Sequence, residues 1–178
     1  MTLPRLNFAE LIAKTVGMQA VFTLSFFLPA GTLAWPTGWV YVAISFVFGI
    51  GLAAWLARYD PELLAERLTG LRKADRKKWD KVFVPVIAVG FFVWLALMGL
   101  DAARFRWSDM PMWLQAIGFL LLLISYYVFY LTFREDPYLS PAVRIQKERG
   151  QKVVSTGPYR HVRHPMYAGL VCTFWELR

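Results

Sequence analysis

The two histidines of this chain, His161 and His164, stand three residues apart inside Gly157-Pro158-Tyr159-Arg160-His161-Val162-Arg163-His164-Pro165-Met166-Tyr167-Ala168-Gly169, a polar turn set against an apolar segment. Pro165 has the fixed backbone angle that suits the first helical position, where its missing N–H costs nothing, so His164 is expected near the N-cap. The N–H groups that follow lack helical partners and face whatever lies before the helix. Such an end favours an anion, and Arg160, Arg163 and the histidines add to that field. The run reads as a binding loop feeding a membrane helix.

The spacing of the histidines raises metal binding, but nothing in the sequence completes a site. There is one cysteine and no second histidine pair, and the acids Glu135 and Asp136 are distant along the chain, so no metal is expected. Nucleophile elbow, phosphate-binding glycine loop and dinucleotide fingerprint are all missing, which excludes a soluble-type nucleotide fold. A ligand with a carboxylate, a planar ring and an adjacent cation would suit the loop. Its carboxylate would lie at the helix start, its ring against Tyr159 or Tyr167, and its cation near aromatic faces. S-adenosylmethionine has those parts. The same residues also fit juxtamembrane basic groups that only obey the charge rule, with tyrosines in an interfacial belt, and residue types alone do not choose between the two.

The elements that must position this loop are apolar. Of 178 residues, 57% are hydrophobic and 18% charged, outside the range of a soluble domain of this size. From Thr15 to Ala57 no Asp, Glu, Lys or Arg occurs, long enough for two spans of roughly 20 residues around the turn Trp35-Pro36-Thr37-Gly38. Val82–Leu100 and Met110–Phe133 each fit one more. The expected fold is all-α: a polytopic integral membrane bundle, one membrane domain over 1–178, with four full spans in 1–133. Residues 134–178 would form a cytoplasmic cofactor-binding loop and the start of a fifth span. Arg5 and Lys14 before the first apolar run suggest a signal peptide, but the run continues into a second span and reads as an uncleaved anchor.

Lys and Arg number two before the first span, none in the first turn, eight from Arg58 to Lys81, two between the third and fourth spans, and seven from Arg134 to Arg163. By the positive-inside rule the N-terminus, the Arg58–Lys81 loop and the segment after Phe133 face the cytoplasm. The formal net charge of +8 is thus spent on topology, and anionic headgroups rather than nucleic acid are its expected partner. Cys172, in an apolar stretch, reads as packing.

Asp60-Pro61-Glu62 has the form of a helix start, and Leu63, Leu64, Leu68 and Leu71 follow at rough helical spacing before a basic run. This predicts an interfacial helix, with Trp79 at headgroup depth; a solvated loop is the alternative. After Phe133, Pro137 and Pro141 turn the chain along the surface. Val143-Arg144-Ile145-Gln146 and Gln151-Lys152-Val153-Val154 then flank Gly150 as a hairpin or an extended loop, and Glu135–Pro165 would cap the bundle. Pro29 and Pro85 are expected to kink helices or lie near their ends, and Gly49 and Gly51 to allow close helix approach.

Arg144-Ile145-Gln146, then Val153-Val154-Ser155-Thr156-Gly157-Pro158-Tyr159, then Val162-Arg163-His164-Pro165-Met166-Tyr167-Ala168-Gly169 together resemble the signature of the integral-membrane isoprenylcysteine carboxyl methyltransferase family, which is related to the phospholipid methyltransferases. The resemblance covers roughly the last third of the chain; upstream, the helices match in number and character only. It implies that S-adenosylmethionine is the cofactor, and that Gln146, Lys152, Val153, Val154, Tyr159, His164, Pro165, Met166 and Tyr167 hold it.

It also implies methyl transfer to a membrane-embedded acceptor, in the family's best-known case the carboxylate of a prenylated cysteine. Such a carboxylate is already anionic and needs no general base; the alternative acceptors are a phospholipid amine, which would need one, or a lipophilic small molecule such as a thiol. The family pattern continues through a helical hairpin to an Arg and paired glutamates, whereas this sequence stops at Trp175-Glu176-Leu177-Arg178. The expectation is therefore of a truncated chain with doubtful activity by itself. A non-catalytic membrane protein is the third possibility.

Overall fold

The computed structural model of the chain describes residues 8–69, 77–141, 146 and 149–175. Every regular element among them is helical, with no strand. Helix α1 spans Phe8–Ala30, α2 Pro36–Tyr59, α3 Pro61–Thr69, α4 Asp80–Gly99, α5 Met112–Glu135 and α6 Pro165–Trp175. A π-helical segment, Leu100–Phe105, continues α4, and a 3₁₀ turn, Gly157–Arg160, precedes α6.

Among the described residues, four stretches are long and apolar enough to cross a membrane: Ile12–Ala30, Pro36–Tyr59, Asp80–Phe105 and Met112–Glu135. The 24 residues of α2 or α5 reach about 36 Å at 1.5 Å per residue, more than a hydrocarbon core of roughly 30 Å. Their outward faces carry large apolar side chains such as Met18, Val47, Val82 and Leu120. Helices apolar on all sides place such groups in lipid, where the α-helical ladder satisfies the backbone internally. The chain is a membrane protein whose described residues are all-helical in their regular structure and contain four candidate spans.

The boundaries shift from the sequence expectation for local reasons. Pro36 is already helical, so Pro36, Thr37 and Gly38 belong to α2 and the connection is residues 31–35. Pro at the first position costs no hydrogen bond. Gly31, at φ +67°, ends α1, and its N–H returns to the carbonyl of Phe27 at 3.1 Å. Pro29 lies in the last turn of α1, whereas Pro85 is inside α4.

The chain divides into two compact units, Met1–Asp109 with Ser140–Arg144, and Met110–Leu139 with Ile145–Arg178. In the first, aromatic rings join α1, α2 and α4. Phe26 and Tyr41 lie 5.1 Å apart between centroids, Phe27 and Trp39 4.5 Å, and Phe22 and Phe91 6.5 Å. Gly99 supplies the close approach, since a Cβ there would fall on the carbonyl oxygen of Phe26. Gly49 and Gly51, expected in that role, have no atom of a described residue within 4 Å of an added Cβ. Two residues apart, they point to different sides of α2, and glycine alone does not say which way a helix turns it.

Helix α3 starts as its sequence demands: Asp60 Oδ1 accepts the Leu63 N–H at 2.9 Å, an N-cap bond. Leu63 and Leu64 are buried, and so is Glu66, whose carboxylate accepts the Ser140 hydroxyl at 3.0 Å. The helix is packed into the first unit rather than a solvated loop. Leu71 and the basic run Arg72–Arg76 lie outside the described residues. Trp79 is exposed just before α4, which begins at Asp80, two residues ahead of the expected re-entry.

In the second unit α6 packs along α5. A Cβ on Gly169 would lie 2.6 Å from Cε1 of Phe129, so only glycine lets the helices approach here. The buried Ser125 hydroxyl donates to the Gly169 carbonyl at 2.8 Å. The eleven residues of α6 reach about 16 Å.

Candidate functional site

The site is built from the C-terminal end of α5, the loop that follows, the 3₁₀ turn and the start of α6, all within the second unit. Helix α5 ends at Glu135 because Pro137 cannot continue it, and Asp136 caps it in extended conformation with its N–H on the Thr132 carbonyl at 3.0 Å. Asp136 Oδ1 then accepts the Tyr138 N–H at 2.9 Å, a local turn that aspartate forms readily.

Gln146 anchors the next part. It is 0% exposed, and its amide works in both directions: Nε2 donates to the Tyr138 carbonyl at 2.6 Å, while Oε1 accepts from Arg149 at 3.0 Å. Its backbone N–H donates to Gln151 Oε1 at 2.8 Å. Arg149 also donates to the Pro137 carbonyl at 2.7 Å and lies over the Tyr138 ring, 5.6 Å from its centroid. Gly150, at φ +62°, makes the bend. Residues 151–155 then run without regular structure, so this side of Gly150 is an extended loop; Val143-Arg144-Ile145 lies outside the described residues. Lys152 is exposed, Val153 is 96% exposed and Val154 half-buried.

The turn comes back to α5 at two points. Gly157, at φ +56°, lies so close to Glu135 that a Cβ would fall 2.8 Å from its Cγ and Cδ. Two residues on, the Tyr159 hydroxyl donates to Asp136 Oδ2 at 2.8 Å. Burial, this hydrogen bond and the carboxylate charge all push the Tyr159 phenol well above its ordinary range, so it stays a neutral donor at physiological pH.

Arg160, His161 and Arg163 are exposed around the start of α6. Pro165 is buried at the first helical position, and the His164 carbonyl accepts the N–H groups of Tyr167 and Ala168 at 3.0 and 3.4 Å. His164 is thus at the N-cap, as its place before proline implies. Its exposed ring stacks on that of Tyr167, 65% exposed, with centroids 5.2 Å apart and planes 30° apart. Three-residue spacing on one helix face brings them together. Met166 beside them is half-buried.

The nine residues singled out from sequence therefore differ in kind. His164, Pro165, Met166 and Tyr167 form one continuous helix start; Tyr159 is tied to α5; Gln146 is enclosed by its own loop; Lys152, Val153 and Val154 lie along the extended stretch. Asp136, Glu135 and Arg149 are structural neighbours of these residues; from sequence the acids were weighed only as metal ligands too distant to complete a site, and Arg149 not at all. One signal pointed to the acids: negative charge at the end of a helix opposes the macrodipole and calls for compensation. No group of three or more His, Cys, Asp or Glu side chains among the described residues has the arrangement of a metal site. Comparison of the chain with protein-family models, with curated proteins and with solved structures gives no match.

Proposed function

We propose that this protein binds S-adenosylmethionine at the loop before α6 and catalyses methyl transfer to a membrane-embedded acceptor, as its resemblance to the isoprenylcysteine carboxyl methyltransferases implies. The observation that carries the reading is the helix start at His164-Pro165-Met166-Tyr167. There a helix start and a stacked, exposed pair of rings lie among three basic or imidazole side chains. A carboxylate suits the helix N–H groups, and a planar base suits the faces of His164, Tyr167 and Tyr159.

In this reading Met166 supplies apolar contact and Lys152, Val153 and Val154 flank the ligand. Gln146 acts from inside, holding the loop between Tyr138 and Arg149. When bound, the cofactor supplies a methyl group on a sulfonium centre. What the chain must do is hold the two reactants in line and keep water out, which needs no protein nucleophile. The acceptor is a lipophilic carboxylate of the prenylcysteine type. Loop and N-terminus face the cytoplasm, α6 begins a fifth span, and anionic headgroups meet the basic loops.

Calorimetric titration of the protein in detergent micelles tests the reading. S-adenosylmethionine should bind. His164→Ala and Tyr167→Ala should each weaken binding by about 1–3 kcal/mol, the scale of a lost hydrogen-bond partner or packed ring. Arg58→Ala, at the end of α2, should leave it unchanged. Equal affinity in the folded loop variants, or no binding by the parent, would return the run to a juxtamembrane anchor. Analysis of methylated products from prenylcysteine and phospholipid-amine acceptors identifies the substrate.

A further inference from the structure

Asp136 touches both ends of the loop. Its Oδ1 accepts the Tyr138 N–H where the chain leaves α5, and its Oδ2 accepts the Tyr159 hydroxyl where the chain returns, at 2.9 and 2.8 Å. As part of α5 it is badly placed, because a carboxylate at a helix C-terminus meets the negative end of the dipole. Two hydrogen bonds to a charged acceptor, each stronger than a neutral one, offset that cost. A departure from the local rule compensated in this way is characteristic of functional sites.

The consequence falls on Tyr159. Its hydroxyl proton is committed to Asp136, so the phenol has no donor left for a ligand, and what it offers is the face of its ring and an acceptor lone pair. The bond through the hydroxyl fixes the direction in which the ring points. The contact of Gly157 with Glu135 lies one residue away on α5 and two residues away on the turn. Two attachments so spaced hold the turn against rotation as well as translation.

We propose that Asp136 is the positioning residue of the cofactor loop, orienting the Tyr159 ring and the turn before α6 for a planar ligand. This rests on the binding of S-adenosylmethionine proposed above. Asp136→Asn keeps an acceptor oxygen for the Tyr138 N–H and so preserves the local turn, while Tyr159→Phe keeps the ring and removes only the hydroxyl.

Titration of the chain in detergent micelles with S-adenosylmethionine, for the parent, both single variants and the double variant, tests this. Each single change should weaken binding by about 5–30-fold, the range of one charge-assisted hydrogen bond partly replaced by water. The double variant should bind no more weakly than the worse single, since both changes remove the same bond. Without ligand, amide hydrogen exchange of residues 152–160 should quicken in both singles while that of α6 stays as in the parent. Parent-like affinity in both singles, multiplied losses in the double, or unchanged exchange in Asp136→Asn would each overturn the positioning role with the binding reading intact. A parent that binds no S-adenosylmethionine would instead overturn the binding reading and this inference with it.

Discussion

Gly157→Ala is the sharpest test of how the loop is held, because two separable costs meet at one atom. Gly157 sits at φ +56°, where a residue with a Cβ loses about 1–2 kcal/mol relative to its usual conformations. The new methyl would also lie 2.8 Å from Cγ and Cδ of Glu135 and 2.9 Å from its Oε2. Those atoms belong to a flexible side chain, so the expected response is a displaced Glu135 rotamer costing about 0.5–1.5 kcal/mol rather than a moved helix. Together they should destabilise the loop by about 1.5–3.5 kcal/mol. The comparison is made in two backgrounds: with Glu135→Ala the steric part disappears, and Gly157→Ala should then cost only about 1–2 kcal/mol. Local opening free energies of residues 152–160, measured by hydrogen exchange in micelles, read both values directly. Equal costs in the two backgrounds would show that Glu135 is not what Gly157 meets. No cost in either would refute the conformational argument as well.

The remaining predictions concern topology and pH. In a Cys172→Ser background, Lys77→Cys and Arg160→Cys should be labelled by an impermeant thiol reagent from the cytoplasmic side only, and Leu33→Cys from the opposite side only; labelling of Leu33→Cys and Arg160→Cys from one side would break the four-span topology. The Tyr159 phenol is raised in the folded protein, so the fold binds its proton more tightly than the unfolded chain does. The stability this contributes is fully present below the ordinary tyrosine value of 10.0 and is lost as pH rises beyond it. The stability advantage of the parent over Tyr159→Phe should therefore be flat from about pH 7 to 9 and shrink above about pH 10. An advantage that grows in that alkaline range would contradict the Asp136 pairing.

Much of the framework could be read locally. Charge-free stretches become helices because hydrocarbon offers no partner for an open backbone, and their lengths follow from the thickness to be crossed. The start of α3 at Asp60-Pro61 and that of α6 at His164-Pro165 were equally legible, since a cap and a proline act on atoms within a turn of themselves.

Which faces meet was not legible. An α2 or α5 that is apolar on every side carries no pattern to say where it turns, so Gly49 and Gly51 looked as eligible for close packing as Gly99 and Gly169. The loop hid its partners for another reason: Asp136 with Tyr159 and Ser125 with Gly169 are 23 and 44 residues apart. Gln146, which the resemblance offered as a ligand contact, is enclosed by its own loop, and its bond to the Tyr138 carbonyl could not be read from spacing. Caps and spans are decided by neighbours along the chain, and the sequence contains those. Which oxygen a tyrosine hydroxyl finds is decided by how the chain folds back, and only the tertiary structure holds that answer.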